Sequence, residues 1–299
     1  MNPSAVTPPA VDPAVAVRWL GHSTVAVDVR GVRILTDPVL RRGLAHLRRR
    51  PPSSPPEHSA GAQLVVVSHL HHDHCDVPSL RRLRPDWVVA PPGSAVWLQR
   101  RLSGTPTRVV DVAEGETAVL TLTGGRGQVD VAVTALPAHH AGHRTGGRLD
   151  RAPARARAVE HLVRVPGAFT GTAGEDLLLW AIGDTGEFPG ADAVLAAGGR
   201  APDVALVPVG GWGHTLGPHH LDPRQAAALV SRVGARYSVP VHWGTLHPIG
   251  LGRTMGDRFT APGPRFAAEA ERAGGTVPVA LPTGGVLRLD AQGRRIPSA

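Results

Sequence analysis

The chain has 299 residues, of which 42% are hydrophobic and 19% charged, a balance typical of folded proteins and not of disordered ones. Its formal charge of +8 comes from 32 basic residues that are all arginine, a compositional bias that places arginine without regard to function and so weakens the case for a polyanion-binding protein. The single cysteine, Cys75, excludes a disulfide within the chain and favours a reducing compartment.

The amino-terminal residues suggest neither export nor membrane insertion. Residues 1–15 lack the basic start and the long apolar stretch of a signal peptide. No run in the chain approaches the ~20 apolar residues that a membrane helix needs. We therefore expect a cytoplasmic protein, with a disordered or loosely packed proline-rich tail over residues 1–13 and a single domain over residues 14–299.

Short strands are predicted in the first part of the chain. Tight turns separate three β-type runs, which predict an antiparallel meander over residues 15–20, 24–29 and 32–36. The repeated prolines of LRRRPPSSPPEH predict a surface loop without regular structure over residues 37–62. The continuous apolar run LVVVS, residues 64–68, predicts a strand that is buried on both faces.

Helices and strands are mixed in the rest of the chain. Asp222 is a good N-cap and Pro223 a good first residue for a helix over residues 223–233. Further helices are predicted over residues 77–83, 94–102 and 265–273. Strands are predicted over residues 87–90, 108–112, 118–122, 129–136, 177–182, 204–207 and 237–242, with closing strands near Val277 and Val286. This order predicts an α+β fold in which two sheets carry helices on their outer sides.

Metal-binding residue types are concentrated in SHLHHDHCD, residues 68–76. The string H-x-H-x-D-H follows a predicted buried strand directly, so a short loop can aim these side chains into a cleft. His69 and His71 lie two residues apart in extended backbone and can share one ion, because alternate side chains point the same way. Asp73 and His74 can reach a second ion nearby. Imidazole and carboxylate together suit Zn²⁺ and related divalent metals.

Further ligands are needed, and three later segments offer them. LPAHH supplies His139 and His140, AIGDTG supplies Asp184, and PVHWGT supplies His242. Each segment follows a predicted strand, so its side chain lies on a loop at the end of a sheet, where open catalytic sites are commonly built. Spacing alone does not decide between His139 and His140.

These motifs resemble the metallo-β-lactamase superfamily of hydrolases. WLGHST, ILTDPVL, SHLHHDHCD, PAHH, GDTG, HLDP and VHWGT are most similar to the branch that contains N-acylphosphatidylethanolamine phospholipase D and the ascorbate-6-phosphate lactonase. The resemblance extends from Arg18 to Trp243 and implies a four-layer αββα sandwich with two metal ions between the sheets. Ala141 and Gly142 depart from the family, which often has Trp and Ser there, so inference about the substrate is weaker.

The resemblance also implies a role for each matching residue. One ion would take His69, His71 and His140, the other would take Asp73, His74 and His242, and Asp184 would bridge them. His140 is chosen because the family pattern is Pro-x-x-His, and His139 is the fallback. A hydroxide bridging the two ions would attack an ester, lactone or phosphodiester. Asp73 would orient it and His220 would donate to the leaving or anionic group, so Asp73 and His220 are the catalytic candidates.

Several histidines near these motifs have open roles. His22 either approaches the metal cleft or caps a turn, His214 and His219 are weaker candidates, and His72 is expected to face away from the site. The arginine-rich segment over residues 143–161 is either a solvated loop or a lid for a negatively charged substrate. Asp76 is expected to cap the helix that follows it.

Three other functions are alternatives to a hydrolase of small molecules. A nuclease using the same metals would explain the arginine clusters, but aromatic residues make up only 4% of the chain, so stacking surfaces for bases are few and a nucleic-acid partner is not expected. The superfamily's di-iron reductases typically carry Glu where this chain has His71, which argues against an iron-dependent redox protein. A metal-binding but inactive scaffold is the third alternative.

The expected substrate is therefore a small, anionic molecule. Zinc is the default metal, although manganese and iron share these ligands. The sequence does not determine the oligomeric state.

Overall fold

Two large β-sheets form the centre of the computed structural model, which describes residues 12–125, 127–144, 152–153, 156–170, 175–213, 215–251 and 255–297. Most of the predicted tail, residues 1–11, lies outside the described residues. Within the described part of the chain, no helix combines the length and the apolar character that crossing a bilayer requires.

The first sheet has eight strands in the order β18-β17-β1-β2-β3-β6-β7-β8. Their bounds are β1 Val15–Gly21, β2 Thr24–Val29, β3 Val32–Thr36, β6 Leu64–Val66, β7 Trp87–Ala90, β8 Arg108–Asp111, β17 Val286–Leu289 and β18 Arg295–Ile296. The predicted meander is confirmed, because β1, β2 and β3 pair antiparallel. Strand β6 is fully buried and pairs parallel with β3 and β7, as its continuous apolar run predicted.

The second sheet has seven strands in the order β16-β14-β13-β12-β11-β10-β9. Their bounds are β9 Thr117–Gly124, β10 Gly127–Pro137, β11 Val159–Val165, β12 Leu177–Ala181, β13 Val204–Pro208, β14 Tyr237–Val241 and β16 Val277–Pro278. Strands β12, β13 and β14 are parallel, and β11 is antiparallel to both β10 and β12. Strands β10, β12 and β14 therefore run in the same direction and end at the same edge of the sheet.

Three apolar clusters separate four layers. The helices are α1 Val77–Leu83, α2 Ala95–Arg101, α3 Ala193–Gly198, α4 Pro223–Val233 and α5 Pro262–Ala273. One cluster fills the space between the two sheets. A second packs α1 and α2 on the outer face of the first sheet, and a third packs α3, α4 and α5 on the outer face of the second. The predicted α+β fold with an αββα arrangement is confirmed.

A small third sheet corrects the prediction for residues 37–62. Strands β4 Gly43–Leu44 and β5 Leu47–Arg49 form a hairpin, and β5 also pairs with β15 Leu246–Pro248. The prediction of a loop without regular structure was wrong because the prolines lie after this hairpin, and because the partner strand is distant in sequence. Leu44, Leu47 and Leu246 are buried under the small sheet.

Helix α4 begins as predicted. The Asp222 side chain accepts hydrogen bonds from the backbone N–H groups of Arg224 and Gln225, and the Gln225 side chain accepts from the Asp222 backbone. This capping box satisfies N–H groups that would otherwise lack partners at the start of the helix. Pro223 occupies the first helical position, where no intrahelical hydrogen bond is lost.

Candidate metal centre

The loop that carries SHLHHDHCD is tied down at both ends. It leaves the buried strand β6 and enters helix α1, whose first turn is capped by the Asp76 side chain through the backbone N–H of Ser79, as predicted. The buried guanidinium of Arg144 donates hydrogen bonds to the carbonyls of Leu70 (3.2 Å) and Cys75 (2.8 Å). These bonds support the loop at residues on either side of its later histidines.

The first group of nitrogens comes from His69, His71 and His140. Nε2 of His69 lies 3.0 Å from Nδ1 of His71, and Nε2 of His140 lies 3.2 Å from the same atom. The ligand atoms of these three residues are close enough to hold one ion together. His139 is exposed and its ring instead lies 3.2 Å from the carbonyl of Glu187. The structure therefore brings His140, and not the fallback His139, to the predicted centre.

The second group comes from Asp73, His74 and His242, with Asp184 between the two groups. Oδ2 of Asp73 lies 3.9 Å from Nε2 of His74 and 3.7 Å from Nε2 of His242. Asp184 approaches His242 through Oδ1 (3.2 Å) and His74 through Oδ2 (3.3 Å). The same Oδ2 lies 4.0 Å from Nε2 of His140. Asp184 thus faces both groups, which is the position that a bridging ligand requires.

Strand direction explains why these distant residues meet. His140, Asp184 and His242 each follow one of the strands β10, β12 and β14, which end at the same edge of the second sheet. The histidine-rich loop follows β6 of the facing sheet. The residues from the second sheet and the loop from the first sheet meet at the edge where these strands end. The centre therefore lies at one edge of the sandwich.

Asp37 is an orienting residue that sequence reasoning missed. Its Oδ2 accepts a hydrogen bond from Nδ1 of His74 (2.8 Å), and its carboxylate also accepts from the backbone N–H and the hydroxyl of Ser68, each at 2.7 Å. Asp37 is buried and follows β3, which is parallel to β6. Because parallel neighbouring strands end at the same edge, the position of Asp37 directly after β3 was the signal that could have placed it near the histidine-rich loop. Because a carboxylate fixes the Nδ1 proton, Nε2 of His74 is left free for an ion.

Two backbone carbonyls orient other histidines in the same way. Nδ1 of His242 donates to the carbonyl of Gly210 (2.8 Å), and Nδ1 of His140 donates to the carbonyl of His219 (3.0 Å). Each bond fixes the tautomer and directs Nε2 to the centre.

His22 lies on the centre, which resolves its open role. It occupies the turn between β1 and β2 with a positive φ of 55°, and its Nε2 is 3.0 Å from Oδ2 of Asp73. Its ring is tilted over that of His242 with centroids 4.0 Å apart. The indole N–H of Trp212, to which sequence reasoning gave no role, also donates to Oδ2 of Asp73 (2.9 Å).

The residues present fit divalent metal ions. Nε2 of His74, Nε2 of His242 and Oδ1 of Asp184 are buried and have no hydrogen-bond partner among the described residues. Buried polar atoms without partners are costly and therefore rare. Here they converge, and they combine imidazole nitrogens with carboxylate oxygens, the donor set that zinc, manganese and iron accept.

Electrostatics shows that protons compete with ions for these atoms. Burial lowers the pKa of His71 to about 4, so its nitrogen is available at neutral pH. Burial would also lower the pKa of His74, but the carboxylates of Asp184 and Asp37 outweigh it and raise that pKa well above its ordinary value. For His242, Asp184 likewise outweighs burial and raises the pKa to about 9. An ion must displace these protons to bind.

The centre opens into a cavity of about 520 Å³. Leu44, Leu47, Trp212 and Leu216 contribute apolar lining, and among the described residues no arginine lines the cavity. His220 also lines it, and its Nε2 is 3.4 Å from Oδ2 of Asp184, so the catalytic candidate lies beside the predicted ligands.

His72 lines the cavity as well, and the prediction that it faces away was wrong. His214 and nine residues of the arginine-rich segment, residues 145–151, 154 and 155, lie outside the described residues. The alternatives for that segment therefore stay open.

Comparisons with known proteins agree with this geometry. The family model described as "Beta-lactamase superfamily domain" matches residues 32–243. N-acyl-phosphatidylethanolamine-hydrolyzing phospholipase D 1 of Caenorhabditis elegans is 31% identical over 248 residues, which cover 78% of this chain and 64% of that protein. The chain thus spans less than two thirds of that relative's length. A metal-dependent hydrolase of Hyperthermus butylicus is 26% identical over 233 residues, covering 77% and 83%.

The fold also matches solved structures. A metallo hydrolase from Ignicoccus hospitalis superposes with a TM-score of 0.64 at 21% identity, covering 92% of this chain and 98% of that one. At this level of identity the likeness supports the fold alone.

Proposed function

The chain belongs to the β-lactamase superfamily, and we propose that it is a metal-dependent hydrolase that uses two divalent metal ions to cleave an ester, lactone or phosphodiester bond. The observation that carries the proposal is the pair of ligand groups that face one cavity, with Asp184 between them. A single ion needs only three or four such ligands, so this set is large enough for two.

The assignment of ligands follows the two groups. His69, His71 and His140 would hold one ion, Asp73, His74 and His242 would hold the other, and Asp184 would contact both. When bound, the ions would supply a water of lowered pKa and Lewis-acid stabilisation of a developing oxyanion. Zinc is the metal that we propose first, with manganese or iron as alternatives for the same donors.

The protein's own residues would then position the reactants. Asp73 is held through Oδ2 by His22 and Trp212, and the same oxygen faces Nε2 of His74 and of His242. His220 is partly exposed at the cavity, and its Nε2 lies 3.4 Å from Asp184. This position at the cavity is within reach of a bound substrate, so we propose that His220 donates a proton to the leaving group.

The cavity favours a small substrate with an apolar group. Its volume of about 520 Å³ falls in the range of small-molecule sites. Leu44, Trp212 and Leu216 would contact the apolar part while the bond to be cleaved faces the histidines. The expected negative charge of the substrate has no arginine partner among the described lining residues and stays a prediction.

Elemental analysis combined with a substrate panel tests the proposal. The purified protein is expected to contain about two metal ions per chain and to cleave at least one of an aryl ester, a lactone, a phosphodiester and RNA. His71→Ala is expected to lose one ion and most activity. His139→Ala is the matched control, because His139 adjoins an assigned ligand but is exposed and is not among the residues that line the cavity. Full metal content and full activity in His71→Ala would refute the assignment, and cleavage of RNA alone would favour the nuclease.

A further inference from the structure

The loop of residues 209–213, Val-Gly-Gly-Trp-Gly, contains none of the assigned ligands but contacts two of them. It follows strand β13. The carbonyl of Gly210 accepts a hydrogen bond from Nδ1 of His242 (2.8 Å), and the indole N–H of Trp212 donates to Oδ2 of Asp73 (2.9 Å). Both His242 and Asp73 are assigned to the same ion. The loop therefore supports one half of the proposed centre, and it makes no hydrogen bond to the other half among the described residues.

The indole of Trp212 is held in place by its surroundings. The ring packs against the apolar cluster under the small sheet, which is formed by Val39, Leu44, Leu47 and Leu246. His46 contacts it edge to face, with ring centroids 5.0 Å apart. These contacts on two sides oppose rotation of the ring, which favours an indole N–H that already points to Asp73.

The oxygen of Asp73 that receives these hydrogen bonds also faces the other ligands assigned to that ion. His22 and Trp212 both approach Oδ2, at 3.0 and 2.9 Å. The same oxygen lies 3.7 Å from Nε2 of His242 and 3.9 Å from Nε2 of His74. The two hydrogen bonds therefore fix the orientation of the carboxylate relative to these nitrogens.

We propose that Trp212 is a positioning residue that holds the carboxylate of Asp73 ready to bind the second metal ion. The indole N–H acts only on the ion held by Asp73, His74 and His242. This inference rests on the proposed two-ion function.

The test removes the N–H and keeps an aromatic ring. Metal-free wild type and Trp212→Phe are titrated with zinc in competition with a chromophoric chelator, which yields a dissociation constant for each binding step. Loss of an orienting partner is expected to weaken one step about 10- to 100-fold and to change the other less than about threefold. Trp87→Phe is the matched control, because Trp87 is also half-buried but lies on β7, away from the cavity.

A double-mutant cycle assigns the effect to Asp73. In an Asp73→Ala background the partner of the indole is gone, so adding Trp212→Phe is expected to leave zinc affinity unchanged. The unfolding midpoint of metal-free Trp212→Phe should match that of Trp87→Phe, whereas a merely structural role would lower it and weaken both steps together.

The other possible results distinguish a failure of this inference from a failure of the two-ion proposal. Three results with a wild type that binds two ions would refute this inference and leave the two-ion proposal standing. Trp212→Phe could weaken neither binding step, or it could weaken both steps equally. It could also weaken zinc binding as much in the Asp73→Ala background as it does in the wild type. If wild type binds a single ion, the two-ion proposal fails and this inference fails with it.

Discussion

Glu160 on strand β11 should make the protein less stable as pH rises. The residue is 2% exposed, and Trp180, which is fully buried, donates its indole N–H to Oε2 of Glu160 at 2.7 Å. The other oxygen, Oε1, has no hydrogen-bond partner among the described residues. Burial outweighs the Trp180 hydrogen bond and raises the pKa of Glu160 from 4.5 to about 8. The folded protein therefore keeps this carboxyl protonated at neutral pH.

The sign and size of the effect follow from proton linkage. Between pH 4.5 and about 8 the folded state binds a proton that the unfolded state has lost, so stability falls as pH rises. Each pH unit in this window costs about 1.4 kcal/mol. The loss of folding stability is absent below pH 4.5 and reaches about 3 kcal/mol at pH 7. It stops growing above the folded-state pKa.

Glu160→Gln is expected to remove this penalty. Glutamine is neutral in both states, has the shape of the protonated acid and can still accept from Trp180. Urea unfolding in the presence of a chelator should show little difference from wild type at pH 4.5, and a variant that is about 3 kcal/mol more stable at pH 7. Glu114→Gln is the control, because Glu114 is exposed. A stability difference that does not grow with pH would refute the reasoning.

Three further predictions concern single side chains. Asp37→Ala removes the carboxylate that orients His74 and is expected to weaken zinc binding about 10- to 100-fold in chelator competition; unchanged affinity would exclude the orienting role. Asp222→Ala removes the cap of α4 and should lower the free energy of unfolding by about 1 kcal/mol, with zinc affinity unaltered. Gly183→Ala should destabilise the fold by at least about 1 kcal/mol in urea unfolding. Gly183 has a φ of +66°, and a Cβ there would lie 2.5 Å from Cβ of Ser68. Wild-type stability of the variant would show that the fold tolerates this close approach.

The strands of both large sheets could be predicted where apolar runs were continuous. Strand β6 is an example, since each of its residues is buried and the sequence contains no polar interruption. Strand β11 was not predicted, because its buried positions include Glu160 and His161, which break the apolar pattern. The β4–β5 hairpin was missed for a different reason, namely that its stabilising partner β15 lies about two hundred residues away and local patterns carry no record of such pairing.

The predicted ligands and the residues that orient them differ in how well a sequence reveals them. An ion restricts its ligands to a few residue types, so His69, His71, Asp73 and His74 form a string that can be recognised by eye. An orienting group needs only one donor or acceptor in the right place, which almost any residue, or a backbone carbonyl, can supply. No restricted residue type marks such a group in the sequence.

Separation along the chain makes the orienting groups harder still to find. The bonds from Asp37 to His74, from His22 to Asp73 and from Trp212 to Asp73 span 37, 51 and 139 residues. They exist only because β3 and β6 end together, and because the turn after β1 and the loop after β13 both reach Asp73. Substitutions at these positions therefore test the fold and the centre at once, since each should change metal affinity without removing a single ligand.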